Sequence, residues 1–359
     1  MIDMSTLDPA KIEAAVGKTF SELGIGVTAP LVVLGDRLGL WTALAGAGPT
    51  TPASLAARTG LAERYVREWL RGVGIAGYLE YDATEGTFLL TNEFAAVLAS
   101  DDSPVALVGV FAGFEALWAD LGRVEQLFRS GTGMGWGDHH PLLNEAQERF
   151  TRPMYLAGLA SAWLPAANGV DAALRDGGRL LDIGCGYGVS SLTIAEQWPV
   201  ARITGVDIDD ASIAHARKTA AATGLADRVT FEVASATALP GGPYDIVVFT
   251  DSLHDMGDPA AAIAEARRVL APDGVLVVVE PLAADRFEDD FANPYARIGY
   301  AISTMVCTPS ALAQPGGVAL GAMAGETRLR EVLHAGGMTR VQRIATESAP
   351  FNIVLAARP

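Results

Sequence analysis

The sequence predicts an α/β protein: a seven-stranded, mostly parallel sheet with an antiparallel hairpin at one edge, preceded by a helical, winged-helix half. Three observations predict it. Beyond Gly177 and Gly178, apolar strands alternate with Ala-rich helices, the pattern of a parallel sheet covered on both faces. Before that point the apolar residues recur at helical spacing, with a helix-turn-helix order followed by a hairpin. The chain of 359 residues exceeds the roughly 250 to 300 at which a single core stops growing, so two domains are expected, 1–165 and 166–359.

Taken in order, residues 9–47 predict two helices, with breaks at Gly24, Gly26, Pro30 and Gly48. Residues 50–60 read as a capped helix and turn, 61–76 as a second helix, and 78–90 as a hairpin. A winged helix raises a DNA-binding reading through Arg64, Arg67 and Arg71. Glu63 and Glu68 interleave with those arginines, however, and the wing adds Glu80, Asp82 and Glu85. The net charge of −16 and pI near 4.7 oppose a phosphate backbone, so no nucleic-acid partner is expected. A dimerisation or substrate-lid role fits better.

Residues 105–167 are helical again around a Gly/Trp/His-rich break, Gly131 to Pro141, expected at the domain junction; it reads either as a ligand-facing loop or as a solvated linker. Strands are expected at 180–183, 202–206, 229–233, 245–249 and 275–279. A helix at 326–333 and two strands, 340–346 and 351–357, joined by a turn containing Pro350, complete the sheet.

Half of the residues are hydrophobic and 19% charged, a globular balance. Cys185 and Cys307 stand far apart, which indicates neither a disulfide framework nor a cysteine metal site. The first residues are acidic where a secretory signal is basic, and no apolar run reaches the roughly 20 residues of a membrane span. A cytoplasmic protein without a membrane partner is expected.

The chemistry centres on Leu180-Leu-Asp182-Ile-Gly184-Cys-Gly186-Tyr-Gly188, where the first strand of the sheet turns into a helix, and on Asp207 at the end of the second. Glycines there let a ligand approach the backbone, and the carboxylate accepts from ribose hydroxyls. Dinucleotide sites prefer Gly-x-Gly-x-x-Gly, whose helix N-terminus holds a pyrophosphate; the Gly-x-Gly-x-Gly here suits a ligand without phosphate. Later strand ends add Ser235-Ala-Thr and Thr250-Asp-Ser-Leu-His254-Asp-Met.

With these stretches, together with Arg64-Tyr-Val-Arg-Glu-Trp-Leu and Leu270-Ala-Pro-Asp-Gly-Val-Leu, the chain resembles class I methyltransferases that use S-adenosylmethionine (SAM), in particular bacterial small-molecule enzymes with an N-terminal winged helix. The resemblance implies a Rossmann-like sheet, SAM converted to S-adenosylhomocysteine (SAH), and a homodimer. It places Asp182, Gly184, Gly186, Gly188, Asp207, Ile208, Ser235, Ala236 and Thr250 at the cofactor. Ser235 stands where the family usually has an acidic residue. Relatives that methylate α-keto acids hold a metal partly through the histidine matching His254 and partly through a second histidine; its position falls near Val306, so no metal is expected.

His254 follows the fourth strand, where its imidazole could act as base or substrate orienter. Asp251 could orient it, bind substrate or cap a helix. Trp136, Tyr155, Tyr295 and Tyr300 are candidates for the substrate pocket, with core packing as the alternative; His215 and His334 read as structural. The expected reaction is methyl transfer to a small molecule in bacterial specialised metabolism, with an electron-rich carbon such as an indole as first choice. A phenol or amine, or an α-keto acid carbon, is the alternative. The rivals are a winged-helix DNA-binding regulator, a SAM-binding protein that transfers no methyl group, and a nicotinamide dehydrogenase.

Overall fold

A computed structural model describes residues 6–344 and 351–359. Thr346 and the turn containing Pro350 lie outside the described residues. The chain forms two compact units, Met1–Ala112 and Gly113–Pro359.

In the first unit, one helix, Pro9–Arg37, runs through Gly24, Gly26 and Pro30, where the sequence predicted breaks. Glycine and proline weaken a helix interior, but here tertiary bonds fix the segment just beyond Pro30: the indoles of Trp69 and Trp41 donate to the carbonyls of Leu31 and Val32. The helix stops instead at Leu38, before Gly39 in the left-handed region. Helices Pro52–Thr59 and Glu63–Ile75 follow, then the antiparallel strands β1 (Glu80–Asp82) and β2 (Thr87–Leu89). Trp41, Leu55, Leu70, Val73 and Phe88 form their core. Arg64 and Arg67 pair with Glu68 and Glu63, and Arg71 reaches Glu68.

The second unit holds seven strands: β3 (Arg179–Ile183), β4 (Arg202–Asp207), β5 (Val229–Val233), β6 (Tyr244–Thr250), β7 (Leu270–Pro281), β8 (Arg340–Arg343) and β9 (Asn352–Arg358). Their order is β5-β4-β3-β6-β7-β9-β8; β3 to β7 are parallel and β9 runs antiparallel to both β7 and β8. Apolar side chains alternate between two cores, one on each face. Leu180, Ile203, Val248 and Val277 point to one; Leu181, Val206, Val247 and Leu276 point to the other.

The Gly131–Pro141 break lies inside this unit rather than at the boundary between units, between helices Val110–Ser130 and Leu142–Met154. A π-helical stretch, Tyr155–Trp163, continues the second of these, and its Tyr155, Leu159 and Trp163 enter the same core as β3 and β4. That shared core explains why residues 113–165 group with the sheet. Among the described residues no helix is long and apolar enough to cross a membrane.

Candidate functional site

Strand order reverses at β3: the chain moves outward through β4 and β5, then returns to β6 on the other side. Ligands of open α/β sheets bind at such a switch point, beyond the carboxyl ends of the strands. A cavity lies there, lined by Gly184 to Tyr187, Asp207, Ile208, Thr250 to Ser252 and Asp255, with Trp136, Glu148 and Tyr155 from the preceding helices.

The glycine turn is built for close approach. Gly184, Gly186 and Gly188 all have positive φ. A Cβ on Gly184 would meet the Ser252 side chain at 2.6 Å, whereas one on Gly186 would meet nothing within 4 Å. The backbone at Gly186 is therefore open, and its N–H donates to Asp207 Oδ2 at 2.8 Å, while Asp209 N–H donates to Oδ1 at 2.9 Å. Each Asp207 oxygen keeps a lone pair for a ligand hydroxyl. Burial raises the Asp207 carboxyl, against those two backbone bonds, which lower it.

Asp182 is fully buried beneath the turn and accepts from Ser190 and Ser191, at 2.5 and 2.6 Å. It locks the turn to the helix Val189–Gln197 and does not line the cavity. Burial pushes its carboxyl up to about 6, although the two serine hydroxyls pull it down. Gly188 starts that helix and packs over Phe231. Ala236 and Thr250 line the cavity; Ser235, which bonds Thr237 at 3.0 Å, does not. The glycine spacing and the absence of any lysine or arginine among the described lining residues argue against a pyrophosphate, while Asp207 and the open Gly186 fit a ribose-bearing cofactor without phosphate.

The two residues singled out for catalysis sit differently. His254 does not line the cavity. Its Nδ1 is clamped to Glu280 at the end of β7, and its Nε2 stands 3.4 Å from Asp255 Oδ1, outside hydrogen-bonding geometry, so that this oxygen has no partner. Burial alone would depress His254, but Glu280 and Asp255 overrule it and hold the imidazole well above its ordinary value. Cys307, next to the expected second-ligand position Val306, brings its Sγ near both: one donor atom each from His254, Asp255 and Cys307 lies within 4.8 Å of the others.

Asp251 does line the cavity, but it does not orient His254. It follows β6 with φ +52°, its N–H donating to Val279 O. Tyr155 Oη donates to its Oδ2 at 3.0 Å and Asn352 Nδ2 to its Oδ1 at 2.7 Å. Burial, with Glu280 nearby, pushes its carboxyl up to about 7, against the lowering effect of His254, Tyr155 and Asn352.

Of the substrate candidates, Trp136 and Tyr155 line the cavity. Tyr295 instead packs edge-on against Phe351, and Tyr300 donates to Asp290. His139 is buried on Asp120, and His215 stacks on Tyr187. Sequence reasoning missed Glu280 and Asn352, did not single out Asp255 within its stretch, and set Cys307 aside. Glu280 had a signal, a lone carboxylate ending the run Val277-Val-Val; Asn352 had none, because it depends on which strand pairs with β7.

Residues 174–337 match a family described as a methyltransferase domain, and residues 26–100 match the Rv2258c-like winged HTH domain. A 27-O-demethylrifamycin SV methyltransferase from Amycolatopsis mediterranei is 37% identical over 169 residues, 46% of this chain and 56% of that protein. The chain thus spans little more than half the length of this relative. The mitomycin 7-O-methyltransferase MmcR superposes with a TM-score of 0.67 at 20% identity, covering 98% of this chain and 100% of that one. Human N-acetylserotonin methyltransferase, solved with SAM, gives 0.68 at 17% identity, covering 99% of each. The chain thus carries an Rv2258c-like winged helix-turn-helix domain at residues 26–100 and a methyltransferase domain at residues 174–337, on the fold of the solved methyltransferases.

Proposed function

We propose that the chain transfers a methyl group from SAM to a small-molecule oxygen or nitrogen. One observation carries the reading: at the switch point, Asp207 is held by the backbone of the very glycine turn whose Gly186 is open to a ligand. Bound there, the cofactor supplies an electrophilic methyl group, and the chain's own residues supply position. Asp207 takes the ribose hydroxyls, Ile208 and Ala236 flank the adenine, and Thr250 closes the far wall.

Asp255, which lines the cavity, takes the acceptor's proton on the oxygen that does not face His254. His254 acts through it as a positioning residue, fixed in turn by Glu280. An oxygen or nitrogen acceptor is favoured over the indole carbon expected from the sequence because the similar proteins include methyltransferases named for O-methylation. Among the described residues lining the cavity no lysine, arginine or histidine offers a cation to an α-keto acid. The reading needs no metal, and a cytoplasmic setting suits the two free, buried cysteines. The exposed apolar run Phe20, Leu23, Ile25 and Val27 on the first helix supports a homodimer.

Calorimetric titration with SAM and SAH tests this reading. Micromolar binding that Asp207→Ala weakens by about 1.5 to 3 kcal/mol, the worth of a hydrogen bond to a charged group, is expected. No binding of either ligand to the wild type would remove the basis for methyl transfer.

A further inference from the structure

We propose that the acceptor carries a protonated amine anchored on Asp251, and that this cavity rejects acceptors bearing a carboxylate. The proposal rests on the methyl-transfer reading and deepens it by naming the acceptor's chemistry.

Charge comes first. The described residues lining the cavity include the carboxylates of Glu148, Asp207, Asp251 and Asp255 but no lysine, arginine or histidine. Three of the four have other groups at hand, Asp255 through a neighbouring charge and not through a hydrogen bond. Asp207 holds the glycine turn, Asp255 has the His254 imidazole 3.4 Å away, and Glu148 stands 3.5 Å from His215 Nε2. Asp251 is left with two neutral donors, Tyr155 Oη and Asn352 Nδ2. Both of its oxygens retain a free lone pair.

The surroundings of Asp251 are short of donors. Asn352 must turn its Nδ2 toward the carboxylate, which fixes its Oδ1 as an acceptor, and that oxygen is buried without a partner. A buried acceptor without a donor is costly. An ammonium group brings three donors, no acceptor and a positive charge, matching what Asp251, which lines the cavity, lacks. A carboxylate brings only more acceptors and a further negative charge beside Asp251, where the low dielectric magnifies repulsion. The left-handed backbone of Asp251, secured by its N–H bond to Val279 O, is the kind of strained position that persists where a group is held ready for a ligand.

The test uses wild type and Asp251→Asn, each saturated with SAH, titrated calorimetrically with matched triples: an arylethylamine, the arylethanol and the arylpropanoate, on phenyl, indolyl and naphthyl scaffolds. Within a triple the amine is expected to bind more tightly than the alcohol and the acid not at all. Asp251→Asn should weaken the amine by about tenfold or more, as for removal of one partner of a buried charge pair, and leave the alcohol nearly unchanged. Tyr155→Phe, which removes a neutral donor and keeps the charge, should retain the amine preference and covers the case in which Asp251→Asn does not fold. Acids binding as tightly as amines, an amine preference that survives in folded Asp251→Asn, or no amine binding on any scaffold would overturn the proposal. Failure of the wild type to bind SAH in the same cell would sink the methyl-transfer reading instead.

Discussion

Asp251 shows how one carboxyl group couples site chemistry to stability. Its ordinary value of 3.8 is raised to about 7, first by burial and then by Glu280, while His254, Tyr155 and Asn352 oppose the shift. Between those two values the folded protein holds a proton that the unfolded chain has released. Stability therefore falls as pH rises through this window, by at most about 1.4 kcal/mol per pH unit for one proton. Unfolding free energies measured by denaturant from pH 4 to 8 should show a shallower decline in Asp251→Asn than in the wild type. An unchanged slope would place the proton elsewhere. At this scale the sequence was a partial guide. It singled out Asp182, Asp207, Asp251 and the three glycines because each stands near the end of a strand, and strand ends are visible as breaks in apolar runs. It did not reveal what holds Asp251, since the partners Tyr155 and Asn352 lie 96 and 101 positions away, beyond the reach of local pattern.

The strands of the sheet were legible because buried parallel strands read as continuous apolar runs, and the N-terminal helix was misread because its breakers were taken at face value. Gly24, Gly26 and Pro30 are tolerated within one 29-residue helix, where tryptophan bonds to Leu31 and Val32 outweigh local propensity. That helix leaves Phe20 70% and Val27 71% exposed, more apolar surface than an isolated helix gains by showing to water. If these side chains meet a second copy, light scattering on the wild type gives a dimer mass, and Phe20→Glu combined with Val27→Glu gives a monomer with SAH binding intact. A monomeric wild type would rule that interface out.

The whole molecule carries a net charge of −16, and its winged helix spends the arginines that could have met DNA on Glu63 and Glu68. Exposed pairs of this kind add little stability, but they leave no clustered basic face on that helix. A gel-shift assay with duplex DNA at low salt is expected to show no complex; a retarded band that disappears on Arg67→Ala would revive the regulator reading. Fold class was accessible at this scale because alternating strands and helices admit few topologies. The acceptor was not, because the shape and charge of the cavity are set by where helices 142–154 and the strand ends converge.

The antiparallel setting of β9 has a consequence for biosynthesis. Pairing Pro281 with Asn352 puts the first residue of β9 at the edge of the sheet where β3, β4 and β6 end. The glycine turn and Asp207 are translated well before Asn352, which emerges 101 positions after the carboxylate it steadies. A nascent or truncated chain lacking β9 would carry the glycine turn and Asp207 yet leave the Asp251 carboxylate without its bond from Asn352, so the order of synthesis completes that wall of the cavity last.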